Sequence, residues 1–469
     1  GRTMVMRSQS KKPELLVPAG GWETLCVAVH YGADAVYIGG DAFSLRAKAD
    51  NFSPEDMERA IRFAHEHGVQ VFVAVNILAH NADLPEMRNY LKTLEKLRPD
   101  GLIIADPGVF MLAEEICPDI PRHISTQANN TNYGTFRFWA EQGAARVVAA
   151  RELSLSEIRD LHDRLKGSVE IEVFVHGAMC ISYSGRCLLS NFLTGRDANR
   201  GACTHPCRWK YRLYRSDPAA AEEEEKNSSA DVQERASAGK GIGEEHKDTS
   251  ADDPSVCYVS EETRPGEFFP VVETERGTFL FNSRDLCMIE YIPELIGAGI
   301  DSFKIEGRMK TSLYVATVTR AYRQAIDACL KDPSEYSADL KKWCMKEISG
   351  TTNRRFTTGF FFGKPTEQDQ IYDSSTYVSE TTYIGMVQKT DENGRIVIEQ
   401  KNKFFRNDIL EVLRPDGKTP RYRVRGIYDA EGNSMESAPH ARQELHLDLE
   451  ALSDSDEIQQ FDVLRMRKA

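Results

Sequence analysis

What this 469-residue chain lacks narrows its function before any motif does. No apolar run approaches the roughly 20 residues that cross a bilayer, so no membrane helix is expected. The opening residues GRTMVMRSQSKK hold no apolar h-region and do not read as a secretory leader. A chain that is not exported is expected in the cytoplasm, whose reducing conditions make disulfides rare. The paired Cys-x-x-Cys turns of structural zinc sites are missing, although four cysteines crowd between Cys180 and Cys207. Also missing are a His-Glu-x-x-His helix and a Gly-x-Ser-x-Gly elbow, which removes two common routes to peptide hydrolysis. A net positive charge is lacking too. The formal balance is −13, which at first argues against nucleic acid.

The distribution of charge reverses that impression. From Asp217 to Glu262 there are 14 acidic and 4 basic residues, and this one segment supplies most of the excess. From Arg186 to Arg215 seven Lys and Arg residues face only Asp197. Such a stripe is either a solvated face or a dock for a polyanion. The acidic segment, rich in Ala, Ser, Glu, Lys and Asp, buries too little apolar surface to offset its ordering entropy, so residues 216–262 are expected to be mobile.

The first 180 residues alternate between short apolar runs and amphipathic stretches. The runs begin at Leu15, Ala35, Val71, Leu102, His123, Val147 and Ile171. Between them lie stretches such as SPEDMERAIRFAHEHG, with Ser53 as cap, Pro54 in the first turn and Gly68 as the stop. Continuous apolar strands separated by helices imply a parallel sheet buried on both faces. An eighth strand is predicted at Ser302 to Glu306, which completes an α/β fold, a (β/α)8 TIM-like barrel with a long excursion between strands seven and eight. Residues 1–12 read as a tail, 13–215 as the first part of the barrel, and 263–355 as its completion with C-terminal helices. From 375 to 469 the pattern turns to short alternating strands, TYIGMVQKT, RIVIEQKN, DILEVLRPDG and RYRVRGIYD, predicting a small β-barrel domain. Its Lys401, Lys403, Arg406, Arg421, Arg423 and Arg425 either line an RNA-facing surface or are ordinary solvated side chains.

Polar residues gather at the C-terminal ends of the barrel strands: Asn76, Asp106, Ser125, Gln127, Arg151, Glu152, His176, Lys304, Glu306 and Arg308. Barrel chemistry sits on that rim because the βα loops open there. The cysteine group follows strand seven, at the same end. A single nucleophilic thiol near His176 or His205 would leave the other thiols without a reason. An iron–sulfur cluster tolerates irregular spacing, because loops from separate segments supply its thiolates. Cys180, Cys187 and Cys203 are the ligand candidates, with the fourth position open between Cys207 and Cys287. Cys26, Cys117, Cys329 and Cys344 lie in helical patterns and read as buried small hydrophobes.

The run Glu172 to Cys180 (EVFVHGAMC), with Ser184-Gly185-Arg186-Cys187 and Ser190, resembles the signature of the collagenase-like peptidases, family U32. The resemblance extends over most of the chain, through ELLVPAG, YIGG, ANRGACTHPCR, RPGE, NSRDL and KIEGR. The RPGE segment and the C-terminal β domain are similar to the prephenate-dependent tRNA hydroxylation proteins within that family. The resemblance implies 5-hydroxylation of a tRNA wobble uridine, a [4Fe–4S] cluster on the motif cysteines, and prephenate as co-substrate. It implies tRNA, through its anticodon loop, as partner, and a partner subunit of the same family. In that setting His176, Arg186, Lys304, Glu306 and Arg308 are the candidate catalytic side chains. Arg196, Arg200, Arg208, Trp209 and Lys210 would grip the RNA, with Trp209 or Tyr211 available for stacking. Two other classes stay open at this point: a collagen-degrading peptidase, and an accessory protein that delivers RNA or a small acid.

Overall fold

The computed structural model describes residues 12–40, 51–178, 285–351, 356–363, 381–438, 442–453 and 457–467. It also describes the backbone of three further strands, Tyr211–Arg215, Val256–Glu261 and Phe268–Val272. Seven strands, β1 (Glu14–Pro18), β2 (Ala35–Gly39), β3 (Gln70–Val75), β4 (Gly101–Ile104), β5 (Arg122–Ile124), β6 (Arg146–Val148) and β7 (Glu170–Ala178), run parallel in chain order. Helices α1 (Trp22–His30), α2 (Pro54–Glu66), α3 (Leu84–Leu97), α4 (Pro107–Ile116), α5 (Tyr133–Glu141) and α6 (Leu155–Leu165) connect them. Helix α2 starts where its sequence says it should, with the Ser53 hydroxyl accepting from the Asp56 N–H at 3.1 Å.

The chain's excursion holds β8 (Tyr211–Arg215), β9 (Val256–Glu261) and β10 (Phe268–Val272), a small antiparallel sheet that forms a compact unit of its own. Strand β9 lies near the end of the segment read as an acidic insertion. Its run VCYVSE alternates like a strand, and that local pattern outweighs the composition around it. Most of that insertion lies outside the described residues.

Strand β11 (Asp285–Cys287) returns antiparallel to the end of β7, and β12 (Ser302–Ile305) then slots between β7 and β1. Ser302 aligns with both Glu14 and Glu172, which closes an eight-stranded barrel. Alternation along the strands sorts side chains to two faces. Leu15, Val17, Val36, Ile38, Val73 and Phe303 pack outward against the helices, while Leu16, Ala35, Tyr37, Phe72 and Ile103 form a separate cluster inside. Both faces are buried, which is why the strands read as unbroken apolar runs.

Short helix α7 (Ile292–Gly297) precedes β12, and the long helix α8 (Ser312–Lys331) follows it, then α9 (Ala338–Ser349) and β13 (Phe356–Thr357). The C-terminal domain contains β14 (Thr381–Thr390), β15 (Ile396–Glu399), β16 (Phe404–Phe405), β17 (Ile409–Leu413), β18 (Arg421–Tyr428), β19 (Ser434–Met435), β20 (Ser437–Ala438), β21 (Glu444–Ala451) and β22 (Val463–Arg467). Seven of these form an antiparallel sheet that closes through β17 and β18 around Ile384, Val412, Val424 and Leu447. Among the described residues no helix is long and apolar enough to cross a membrane.

Candidate active site at the mouth of the barrel

The floor of the barrel is an ionic cluster. Arg146 reaches Glu14 at 2.6 Å, Glu170 at 2.8 Å and Glu172 at 2.9 Å, and the second oxygen of Glu172 lies 3.4 Å from the Lys304 ammonium. One guanidinium serves three carboxylates, so burial still leaves Glu14 above the ordinary carboxylate range despite Arg146. Burial pulls the Lys304 amine below its usual value, against the opposing pull of Glu172 and Glu306. Lys304 also sits 4.4 Å from the Tyr37 ring centre and 5.1 Å from that of Phe174. These contacts place it in the lumen below the rim.

Above the floor, residues 304–308 are pinned from several directions. The Tyr37 hydroxyl donates to the Ile305 carbonyl at 2.7 Å, and Tyr314 donates to that of Glu306 at 2.8 Å. The Glu306 N–H donates to the His176 carbonyl at 2.9 Å. Two glycines allow the approach. A Cβ on Gly20 would lie 2.1 Å from the Arg308 carbonyl oxygen, and Gly177, at φ +110°, would drive one to 2.7 Å from the Glu306 carbonyl oxygen. On this frame Arg151 spans the mouth. It donates to the Ala178 carbonyl at 3.1 Å, reaches Glu306 at 3.5 Å, and stacks 4.1 Å over Phe174. Arg308, largely buried, lies 5.9 Å from the Tyr37 ring centre. Arg151 reaches Glu306, and Lys304 and Arg308 both stand beside the Tyr37 ring, so three cations gather around this mouth, an arrangement that suits a small polycarboxylate.

The other rim residues divide by role. Asp106 caps α4 through the Val109 N–H, and Ser125 caps the turn that holds Gln127. His176 is 2% exposed and points away from the lumen, among the rings of Tyr314, Tyr322 and Phe356. A register shift between Lys304 and Ile305 accompanies this turn of β7. Burial pushes the His176 imidazole down to about 3, with Lys310 adding to the effect. Tyr322 donates its one hydroxyl proton to the Val175 carbonyl at 2.9 Å, so the 3.2 Å contact with His176 Nδ1 requires Nδ1 to be the donor. Sequence reasoning missed Tyr322 and Arg146 as parts of this region and gave Glu172 no role beyond opening the signature run, because a helix residue and buried strand residues at the foot of the barrel carry no local signal of their partners.

Cys287 lies in register with His176, fully buried, and its thiol is pushed up to about 12 by burial, an effect that the Ile289 backbone and the neighbouring Tyr322 hydroxyl only partly oppose. A thiol in such surroundings stays protonated unless a metal ion displaces the proton. Cys180, Cys187, Cys203 and Cys207 lie outside the described residues, as do Arg186, Arg196, Arg200, Arg208, Trp209 and Lys210. Among the described residues no three His, Cys, Asp or Glu side chains converge as a metal site. Cys26, Cys117, Cys329 and Cys344 are buried free thiols.

Two family descriptions match the chain: peptidase family U32 over residues 20–371 and the peptidase family U32 C-terminal domain over 379–465. The chain is 38% identical to a Bacillus subtilis protein named tRNA hydroxylation protein P1, over 92% of this chain and 91% of that one. It is 37% identical to tRNA hydroxylation protein P of Escherichia coli, over 91% of this chain and 92% of that one. The solved structure of the U32 peptidase Mk0906 is 16% identical, covering 65% of this chain and 97% of its own, with a TM-score of 0.35.

Proposed function

Because this chain belongs to peptidase family U32, through its barrel and its C-terminal domain alike, we propose that it takes part in tRNA hydroxylation. The observation that carries this reading is the likeness to proteins of that name over nine-tenths of the chain. The reaction we assign is 5-hydroxylation of the wobble uridine. An anticodon-loop base is already single-stranded, so presenting its edge costs little. Arg151, Arg308 and Lys304 would hold the carboxylates of prephenate, with Glu306 fixing Arg151. Cys180, Cys187 and Cys203, with Cys207 or Cys287, would hold a [4Fe–4S] cluster, which when bound supplies one-electron chemistry. Cys287 suits that role in one respect: it stands on β11, beside the end of β7 from which the chain runs on to Cys180. Arg196, Arg200, Arg208, Trp209 and Lys210 would grip the tRNA, a second family member would complete the assembly, and the cytoplasm would be the working compartment.

The peptidase alternative is less well supported. Cys287 and His176, a described thiol and a described histidine of the motifs, are both buried against α8 rather than facing a cleft. Deleting the gene in a host without paralogues and measuring bulk tRNA by mass spectrometry tests the proposal. Loss of 5-hydroxyuridine derivatives is expected, and their undiminished presence would overturn it. Oxygen-free purification, with a visible spectrum and iron and sulfide assays, tests the cluster separately. A colourless, iron-free protein would remove it.

A further inference from the structure

We propose that the C-terminal domain carries an RNA contact of its own. An unpaired base of the tRNA stacks on Phe405, while Lys403, Arg406 and Arg425 hold the adjoining phosphates. The inference rests on the reading that tRNA is the substrate, and adds where on the molecule it is gripped.

Strand β16 puts its two phenylalanines to opposite uses. Phe404 is fully buried in the domain core, and Phe405, on the other face, is 48% exposed. The other exposed phenylalanines among the described residues have aromatic cover: Phe138 lies edge-on to Trp139 at 5.1 Å, and Phe362 lies 4.7 Å from Tyr291. Phe405 has cations instead. The Lys403 ammonium stands 4.9 Å from its ring centre. Arg406 follows in the chain and donates through Nε to the Arg425 carbonyl at 2.8 Å, which ties the Phe405 segment to β18. Along β18, Arg421, Arg423 and Arg425 alternate with buried Tyr422 and Val424, so the three arginines share the outer face.

The platform is held in place. The Phe405 N–H donates to Asp408 at 2.8 Å, and the Arg406 N–H donates to the Glu436 carbonyl at 3.0 Å. Acidic neighbours are present: Glu436 pairs with Arg406 at 3.1 Å, and Glu450 pairs with Arg425. These pairs are solvent-exposed, Glu436 at 82%, and exposed pairs are weak and screened by salt. A phosphate can replace them. A rigid aromatic face flanked by cations from two segments is the combination that binds single-stranded nucleic acid without sequence preference. A protein-binding patch would instead continue as apolar surface, and the residues beside Phe405 are Asp408, Arg406 and Ser437.

The test is binding of the full chain to bulk tRNA across a salt series. Phe405→Ala is expected to weaken binding about tenfold, within the ~5- to 160-fold range of a lost base stack, while Phe405→Trp retains it. Arg425→Gln and Lys403→Gln are each expected to reduce the slope of log affinity against log salt by about 0.7 to 0.9. These changes leave the core untouched, so all variants should melt with the parent. Parent binding that survives Phe405→Ala, with unchanged salt slopes in the two cation variants, overturns this inference alone. Absence of tRNA binding by the parent overturns both it and the proposed function.

Discussion

Burial drives the imidazoles of His176 and His123 below their ordinary pKa, His176 to about 3 and His123 well down, with Arg146 and Lys304 adding to the effect on His123. The unfolded chain binds a proton at each of these positions near pH 6.5, whereas the folded chain does not. Stability from these sites is therefore complete above about pH 6.5 and drains away as pH falls towards the folded values. Urea unfolding should show a lower midpoint at about pH 5.5 than at about pH 7.5. In His176→Leu that pH-dependent loss should shrink, even though the variant is less stable overall. An identical pH slope in the variant would mean that His176 is not a source of the dependence. In sequence, His176 reads as chemistry because it stands at a strand end beside the cysteine motif. Its position between aromatic rings depends on where α8 packs, some 140 residues later, and no local pattern carries that.

At the scale of elements, the start of α2 at Ser53 was legible in the chain, and α6 begins by the same chemistry, although the sequence reading does not mark it. Ser154 caps α6 and Glu157 answers with its carboxylate on the Ser154 N–H at 2.7 Å, a reciprocal box that satisfies two orphan donors. Ser154→Ala should cost about 1 kcal/mol and lower the melting temperature by about 2 °C, whereas Glu157→Gln should be close to neutral. Equal melting of Ser154→Ala and the parent would show that packing of Leu155, Ile158 and Leu161, rather than the cap, sets where α6 begins. Strands long enough to alternate or run apolar were equally readable. Three-residue β11 and two-residue β13 were not, because they exist through pairing with β7 and with each other. Strands β21 and β22 also escaped notice, since ELHLDLEA and VLRMR carry charge on their outer positions and lack turn signals of the ENG type.

For the molecule as a whole, the barrel and the C-terminal domain share a buried seam within one compact unit. Glu347 of α9 bonds Arg320 of α8 and Arg465 of β22, each at 2.8 Å, while Tyr31 donates to the Leu413 carbonyl at 2.6 Å and accepts from the Val463 N–H at 2.8 Å. Burial would raise the Glu347 carboxyl, but Arg465 and Arg320 more than reverse it and hold it below the ordinary range. Its stabilising effect is thus present above about pH 4.5 and lost as pH drops through the lower folded value. Glu347→Ala strands the buried Arg320 guanidinium and leaves Arg465 with Glu411 alone, and should cost about 3–5 kcal/mol. In calorimetry the parent should unfold the barrel and the C-terminal domain together, with the variant melting earlier or in two steps. A variant that matches the parent would show that the seam is held by Tyr31 and its apolar neighbours instead.

The amino-acid order alone determined the eight-stranded barrel, the helix caps and the change to a β domain, because each rests on local periodicity and short-range hydrogen bonding. It also pointed to Lys304, Glu306 and Arg308, since a strand's C-terminal end is recognisable from the chain. Only the tertiary structure decided that Arg151 joins them over Phe174, that Glu172 and Arg146 underpin Lys304, and that His176 turns into the core. Those outcomes depend on which distant side chains share a low-dielectric interior, and that is fixed by ring closure and helix packing rather than by any neighbouring residue.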